Sequence, residues 1–316
     1  MNKRDTRRNL CLIPTMQSTC PMGDETASVG RVKPRRQSVR PVMAVAILAL
    51  ALPAARADSS PASTPIGTFQ LNRQPEQGSL SLGWAPAGVS RLSVNGKDID
   101  FAPDGRFIVG FGRDYGPEVV LGATLGDGRV VSERMPVNKR AWTIEYLPTV
   151  QRYPVPTPEF QARRPDELAQ ISAARHADVR SDGWRQAVVW PAKGRISGRF
   201  GSQRVYAGEP GAPHAGVDIA GSTGAPVRAP AAGVVTLAAA APFTLEGNLL
   251  IINHGMGLDS AFLHLSRIYV KKGEVIHQGQ LIGAIGATGR ASGPHLHWGM
   301  TWRGERLDPE PLAGPM

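Results

Sequence analysis

Turn signals cut this chain into short pieces, and that punctuation restricts its fold more than any other feature. Asn95-Gly96, Pro103-Asp104-Gly105 and Asp127-Gly128 each separate stretches of alternating apolar residues. Asn-Gly and Asp-Gly tolerate the positive φ that a two-residue hairpin turn requires. Glycine (36) and proline (27) are plentiful along the 316 residues. Many short strands joined by tight turns are therefore expected, with few long helices. The length is sufficient for two domains with cores of their own.

The first 57 residues read as a leader. Basic residues up to Arg40 precede the apolar run from Val42 to Leu52, and Ala55-Arg56-Ala57 provides a small-residue exit before Asp58. This is the pattern of a secretory signal peptide. The run is short for a membrane-spanning helix, and an uncleaved anchor is the alternative reading. Export follows as an expectation, with the periplasm preferred over secretion and no stable membrane span after cleavage. Both cysteines, Cys11 and Cys20, precede the cut, so the mature chain has no thiol to act as nucleophile, ligand or disulfide partner.

The net charge of +10 raises the question of nucleic acid. Ten of the basic residues and only three acids fall within 1–57, which leaves a balance of +3 for the rest. The body of the protein therefore makes no electrostatic case for nucleic acid.

Beyond the leader, 58–65 reads as a linker and 66–147 as a β-rich N-terminal domain. Leu92 and Val94, Ile99 and Phe101, and Phe107 and Val109 alternate with other residues between turn signals, which predicts a small β-sandwich. It holds no histidine and no catalytic constellation, so a targeting or spacer role is its expected use. A connector at 148–189 starts with spaced prolines from Pro148 to Pro158. One helix should open at Arg164-Pro165-Asp166-Glu167, bury Leu168, Ile171 and Ala174 on one face, and end between His176 and Arg180. From 190 to 312 the text is β again, with buried-strand runs at Val234-Val235, Leu249 to Ile252 and Leu281 to Ile285. The expected fold is mainly β, ending in an antiparallel sheet.

Five residues of this last region suggest a metal. His214 and Asp218 are four apart in Gly- and Pro-bounded text that reads as a loop entering a strand, whereas His295 and His297 flank Leu296. On a strand, residues two apart project to the same side, so both imidazoles can face one cavity. His264 lies between these pairs in apolar strand text. Two imidazole nitrogens and a carboxylate oxygen are sufficient protein ligands for a catalytic zinc that keeps a position open for water. Each pair alone occurs often by chance; the set together points to a zinc hydrolase.

These residues carry a family resemblance. His214-x-x-x-Asp218, Phe262-Leu263-His264-Leu265-Ser266 and the stretch from Thr288 to His297 resemble the LytM-like (lysostaphin-type) zinc metallopeptidases, which cleave peptide crosslinks or bridges of bacterial peptidoglycan. The likeness covers about 190–310 and includes Ala229-Pro230-Ala231-Ala232-Gly233 and Asn253-His254-Gly255. It implies zinc ligands at His214, Asp218 and His297, catalytic roles for His264 and His295, and peptide stems as substrate. It leaves open which of His264 and His295 is the base. His254 falls outside this set and is read as a structural hydrogen-bonding residue. Some relatives have lost ligands and act by binding cell wall and activating amidases; here the ligand set is complete. Glycine-rich bridges or a non-wall protein are the alternative substrates, and protein partners are not readable.

Overall fold

The computed structural model describes residues 68–149 and 157–316. The leader, the linker and most of the proline-spaced stretch before Thr157 lie outside the described residues. Seven strands come first: β1 (Gln70–Leu71), β2 (Leu80–Trp84), β3 (Val89–Val94), β4 (Lys97–Ile99), β5 (Arg106–Gly110), β6 (Glu118–Leu125) and β7 (Val130–Pro136). They form a three-stranded sheet, β1-β2-β5, and a four-stranded sheet, β4-β3-β6-β7. Alternation decides the faces: Val119, Leu121, Ala123 and Leu125 of β6 are buried, and the residues between them are not. Asn95 (φ 49°) and Gly96 (φ 75°) form the tight turn that the dipeptide predicts, pairing Val94 with Lys97.

The next strand, β8 (Ile144–Leu147), runs parallel to β10 (Gln203–Tyr206) and pairs with none of the strands before it. Its side chains leave little apolar surface to bury, with Ile144 and Tyr146 exposed. Backbone pairing therefore governs where it goes.

The helix differs from the sequence expectation at its start and on its face. α1 (Pro158–Arg175) opens at Thr157, whose hydroxyl oxygen accepts the Phe160 N–H at 3.2 Å, with Pro158 and Glu159 in the first turn. That cap, followed by proline and an acid, is a stronger start than Arg164-Pro165, and Pro165 is carried inside the helix. The buried face is Glu167, Ile171 and Ala174, while Leu168 is 49% exposed. Ile171 and Ala174 are buried as expected, and Glu167 replaces Leu168 because its carboxylate is partnered by Thr244 and Arg164.

The remaining elements are β9 (Ile196–Gly198), β10, β11 (Glu209–Pro210), β12 (Val217–Ala220), β13 (Pro226–Arg228), β14 (Gly233–Ala238), β15 (Asn248–Asn253), β16 (Leu258–Leu265), β17 (Arg267–Ile268), β18 (Val275–Ile276), β19 (Leu281–Ala284), β20 (His295–Trp302), β21 (Glu305–Leu307) and α2 (Pro309–Ala313). A large antiparallel sheet runs β18-β14-β15-β16-β20-β12-β9, with β21 on β20. A small sheet, β13-β19-β17, stands beside it.

One face of the large sheet packs Leu250, Ile252, Phe262, Trp298 and Met300 into the main core. The other face carries Ile251 and Ala261, on which Ile171 and Ala174 of α1 rest with Leu237, Phe243 and Leu249. Register extends this second face along β20: Leu263 pairs with His297, Ala261 with Gly299 and Asp259 with Thr301. The histidine-bearing face is thus the face that α1 partly covers.

Candidate metal centre

Two neighbouring central strands bring the site together. Asp218 on β12 is directly opposite His297 on β20 in the antiparallel register, so their side chains leave the sheet on the same side. His214 precedes β12 in a loop held by two backbone bonds, from His214 N–H to Ser202 O (2.8 Å) and from Gly201 N–H to His214 O (2.9 Å). Its Nε2 lies 3.1 Å from Asp218 Oδ1 and 3.1 Å from His297 Nδ1, and His297 Nδ1 lies 2.9 Å from Asp218 Oδ1. His214, Asp218 and His297 thus offer three donor atoms at one point, the one group among the described residues arranged to hold a metal.

His264 and His295 line the same space. Their ring centroids are 4.8 Å apart, and His264 is 6.2 Å from the His297 ring. His295 Nε2 lies 3.7 Å from Asp218 Oδ1. Backbone carbonyls orient most of the rings. Nδ1 of His214 donates to Arg199 O (3.1 Å), that of His264 to Thr288 O (2.9 Å), and that of His295 to Gly293 O (2.8 Å). A carbonyl can only accept, so these Nδ1 atoms carry the proton and each Nε2 is left with its lone pair.

His264 has an unusual backbone. It sits near the end of β16 with φ 63°, where the pairing with β15 shifts register. Left-handed backbone is uncommon for a non-glycine residue and clusters at functional sites. Here the bulge turns the imidazole towards the Thr288 carbonyl.

The electrostatics suit a cation. At Asp218, burial acts to raise the carboxyl, but hydrogen bonds and charge from His214 and His297 outweigh it and hold the group well below the usual carboxylate range. At His214, burial opposes protonation, and the Asp218 carboxylate overcomes it and raises the imidazole. His297 is lowered, mainly by its burial. The two directions fit one picture: the Asp218 carboxylate outweighs burial at the more exposed His214 and does not at His297. Burial also pulls His264 down to about 4.

The donor set fits zinc. Zinc with tetrahedral bonds of about 2.0–2.1 Å places its ligand atoms roughly 3.3–3.4 Å apart, and the observed separations of 2.9–3.1 Å need only a slight outward relaxation. Gly198 on β9 makes the room, because a Cβ there would stand 2.3 Å from Asp218 Oδ2. Gly198 and the carbonyls of Arg199 and Thr288 were not singled out from the sequence. Gly198 is one glycine in strand text, and a carbonyl has no signature in sequence at all.

Three other histidines stand apart. His254 is fully buried: its Nδ1 donates to Ala232 O (2.8 Å), and its Nε2 accepts from Ser260 Oγ (2.8 Å), which in turn accepts from Trp298 Nε1 (3.3 Å). This closed chain is the structural role expected for it. His176 caps α1, and His277 is exposed. Trp298 is core, with no exposure, and does not line a groove.

The sequence pattern of peptidase family M23 matches residues 212–309, the segment that carries all five site residues. Residues 212–309 form a peptidase family M23 domain. The chain is 40% identical over 126 residues to peptidoglycan DD-endopeptidase ShyA of Vibrio cholerae, covering 40% of this chain and 29% of that protein. With peptidoglycan DD-endopeptidase ShyC of the same organism it shares 29% identity over 259 residues, 78% of this chain and 54% of ShyC. The chain thus spans about half or less of the length of these relatives. A Pseudomonas aeruginosa crystal structure described as a candidate peptidase M23 superposes with a TM-score of 0.60 at 28% identity, over 77% of this chain and 97% of that one.

Proposed function

We propose that this chain is a zinc endopeptidase that hydrolyses peptide crosslinks of bacterial peptidoglycan. The observation that carries the reading is the meeting of His214, Asp218 and His297 at one point with two further imidazoles facing it. The similarity to proteins named peptidoglycan DD-endopeptidases supports the substrate.

Zinc would be held by these three residues and would supply Lewis acidity towards the scissile carbonyl and a water whose pKa falls towards about 7. The protein's own groups do the rest. Asp218 Oδ1 and the two ring nitrogens fix the position of the ion, while Arg199 O keeps His214 in the tautomer that presents Nε2. His264 is kept neutral by burial and pinned through Nδ1, so its Nε2 is the atom placed to accept the proton of the attacking water. His295 Nε2, 3.7 Å from Asp218 Oδ1, faces the same space and is the second imidazole at hand for the proton transfers of the reaction. No residue forms a covalent bond to substrate.

Export to the periplasm belongs to the same reading and rests on the leader pattern at 1–57. Cell fractionation checks it.

The test joins metal analysis to product analysis. Purified protein should contain zinc, and His214→Ala and His297→Ala should each abolish release of fragments from crosslinked muropeptides, as followed by mass spectrometry. Full hydrolysis by these variants, or after chelation, would end the proposal. Unchanged muropeptides together with stimulation of an added amidase would point to a non-catalytic activator.

A further inference from the structure

The face of the large sheet that carries His297 continues well past the metal centre. Thr301 lies four residues further along β20 on that face, about 13 Å away. It is flanked by Asp259 on β16 and Arg306 on β21. Beside it a cleft of about 940 Å³ opens between Arg175 at the end of α1, Asn95 and Tyr115 in loops of the N-terminal region, and the Trp302–Glu305 turn. A second cleft, of about 610 Å³, shares Asn95, Tyr115, Gly304 and Glu305 with the first and reaches His214. The two clefts adjoin through these four residues as a groove that touches His214 and Arg175.

Several charged side chains along these clefts are paired, and Arg175 is not. Arg175 makes no hydrogen bond or ion pair with any described residue, and its Nε is screened from solvent. A half-buried guanidinium without a partner favours an anion beside it. Asp259, the acid whose charge bears most on it, also has an unpartnered Oδ1, and burial raises that carboxyl to about 8 against the pull of Arg175. Arg306, facing the same floor, likewise has no partner among the described residues. Several lining acids are already engaged, Asp98 by Arg91, Asp100 by Arg303 and Asp114 by Arg113. Lys97, Asp178 and Glu305 remain unpaired on the walls.

We propose that this groove is a substrate subsite, in which Arg175 and Arg306 take a free carboxylate of the peptide about four residues from the bond that is cut. The proposal rests on the peptidoglycan-peptidase reading above and adds to it a recognition element on α1 and β21. A guanidinium matches a carboxylate in planar, two-pronged fashion. Four extended peptide residues span about 13 Å, the distance from His297 to Thr301. Glu305 is the acceptor available to a peptide N–H or amine in the same groove.

The test compares one crosslinked muropeptide with the same compound in which the free carboxylates are amidated. Zinc-loaded wild type should prefer the carboxylated form by about tenfold in kcat/KM. That ratio should fall towards one in Arg175→Gln and in the exposed-site variant Arg306→Gln, with Arg175→Lys intermediate. Chelated wild-type protein, tested by calorimetry with the same two compounds, should bind the carboxylated one more tightly. Equal ratios in wild type and both glutamine variants would overturn the subsite. The two readings separate cleanly. Cleavage without carboxylate preference removes the subsite and keeps the peptidase, whereas carboxylate-selective binding without cleavage keeps the subsite and removes the peptidase.

Discussion

The strained backbone of His264 and the buried neutrality of His254 are the two residue-scale features with measurable consequences. An L-residue in the left-handed region costs on the order of 1 kcal/mol, and glycine avoids that cost. His264→Gly should therefore be more stable than His264→Ala by about 1 kcal/mol, with both inactive, as read by urea denaturation and muropeptide turnover. Equal stabilities would show that the bulge is unstrained. His254 is lowered by burial to about 4, against about 6.5 when unfolded. Below pH 6.5 the unfolded chain therefore binds a proton that the folded chain refuses, and stability falls with pH until the folded group titrates. Between pH 7.5 and pH 5 this linkage removes about 2 kcal/mol from the wild type. His254→Gln should lose that much less over the same interval, whatever its absolute stability.

Among the elements, α1 is held by one carboxylate as well as by its apolar stripe. Glu167 is 4% exposed; it accepts the Thr244 N–H at 2.8 Å and the Thr244 hydroxyl at 2.5 Å, and pairs with Arg164 at 3.2 Å. Arg164 continues to Glu246, whose carbonyl accepts the His264 N–H. This chain of contacts connects the helix to the strand that presents a candidate catalytic residue. Glu167→Ala leaves Thr244 without its acceptor and should cost about 2–3 kcal/mol. Circular dichroism melts would measure it, and a change under 0.5 kcal/mol would mean that apolar packing alone secures α1. Sequence reading found this helix and buried Ile171 and Ala174 correctly, but it placed the start too late and took Leu168 in place of Glu167. Propensity and periodicity favour Leu168 over Glu167, and only the partner at Thr244 reverses that choice.

At the scale of the molecule, zinc should behave as a stabilising ligand. Its three proposed protein ligands come from the loop before β12, from β12 itself and from β20, so the bound ion ties separate parts of the sheet. Binding to the folded state alone adds about 4 kcal/mol at free zinc a thousandfold above Kd, a rise in melting temperature of roughly 10 °C for a unit of this size. Differential scanning fluorimetry with and without chelator measures the shift. Its absence in His297→Ala would place the ion at the proposed centre. The N-terminal strands are no loose appendage in this unit. Arg140 pairs with the buried carboxylate of Asp308 at 2.8 Å, and Gly110 leaves room for Trp302, whose Cβ a methyl there would approach to 2.9 Å.

Much of the strand pattern was determined by the sequence alone. Turn dipeptides and two-residue alternation are properties of a few adjacent residues, so the Asn95-Gly96 hairpin and the shared face of His295 and His297 could be read directly. The five histidine and aspartate positions were readable for the same reason: they sit in short, distinctive motifs. The tertiary structure alone decided what surrounds them. The carbonyls that orient the imidazoles, the vacancy at Gly198, the left-handed backbone of His264 and the unpaired Arg175 beside Asp259 all depend on register and packing between segments far apart in the chain. Local chemistry selects elements, but only their assembly sets which groups are left to meet a metal or a substrate.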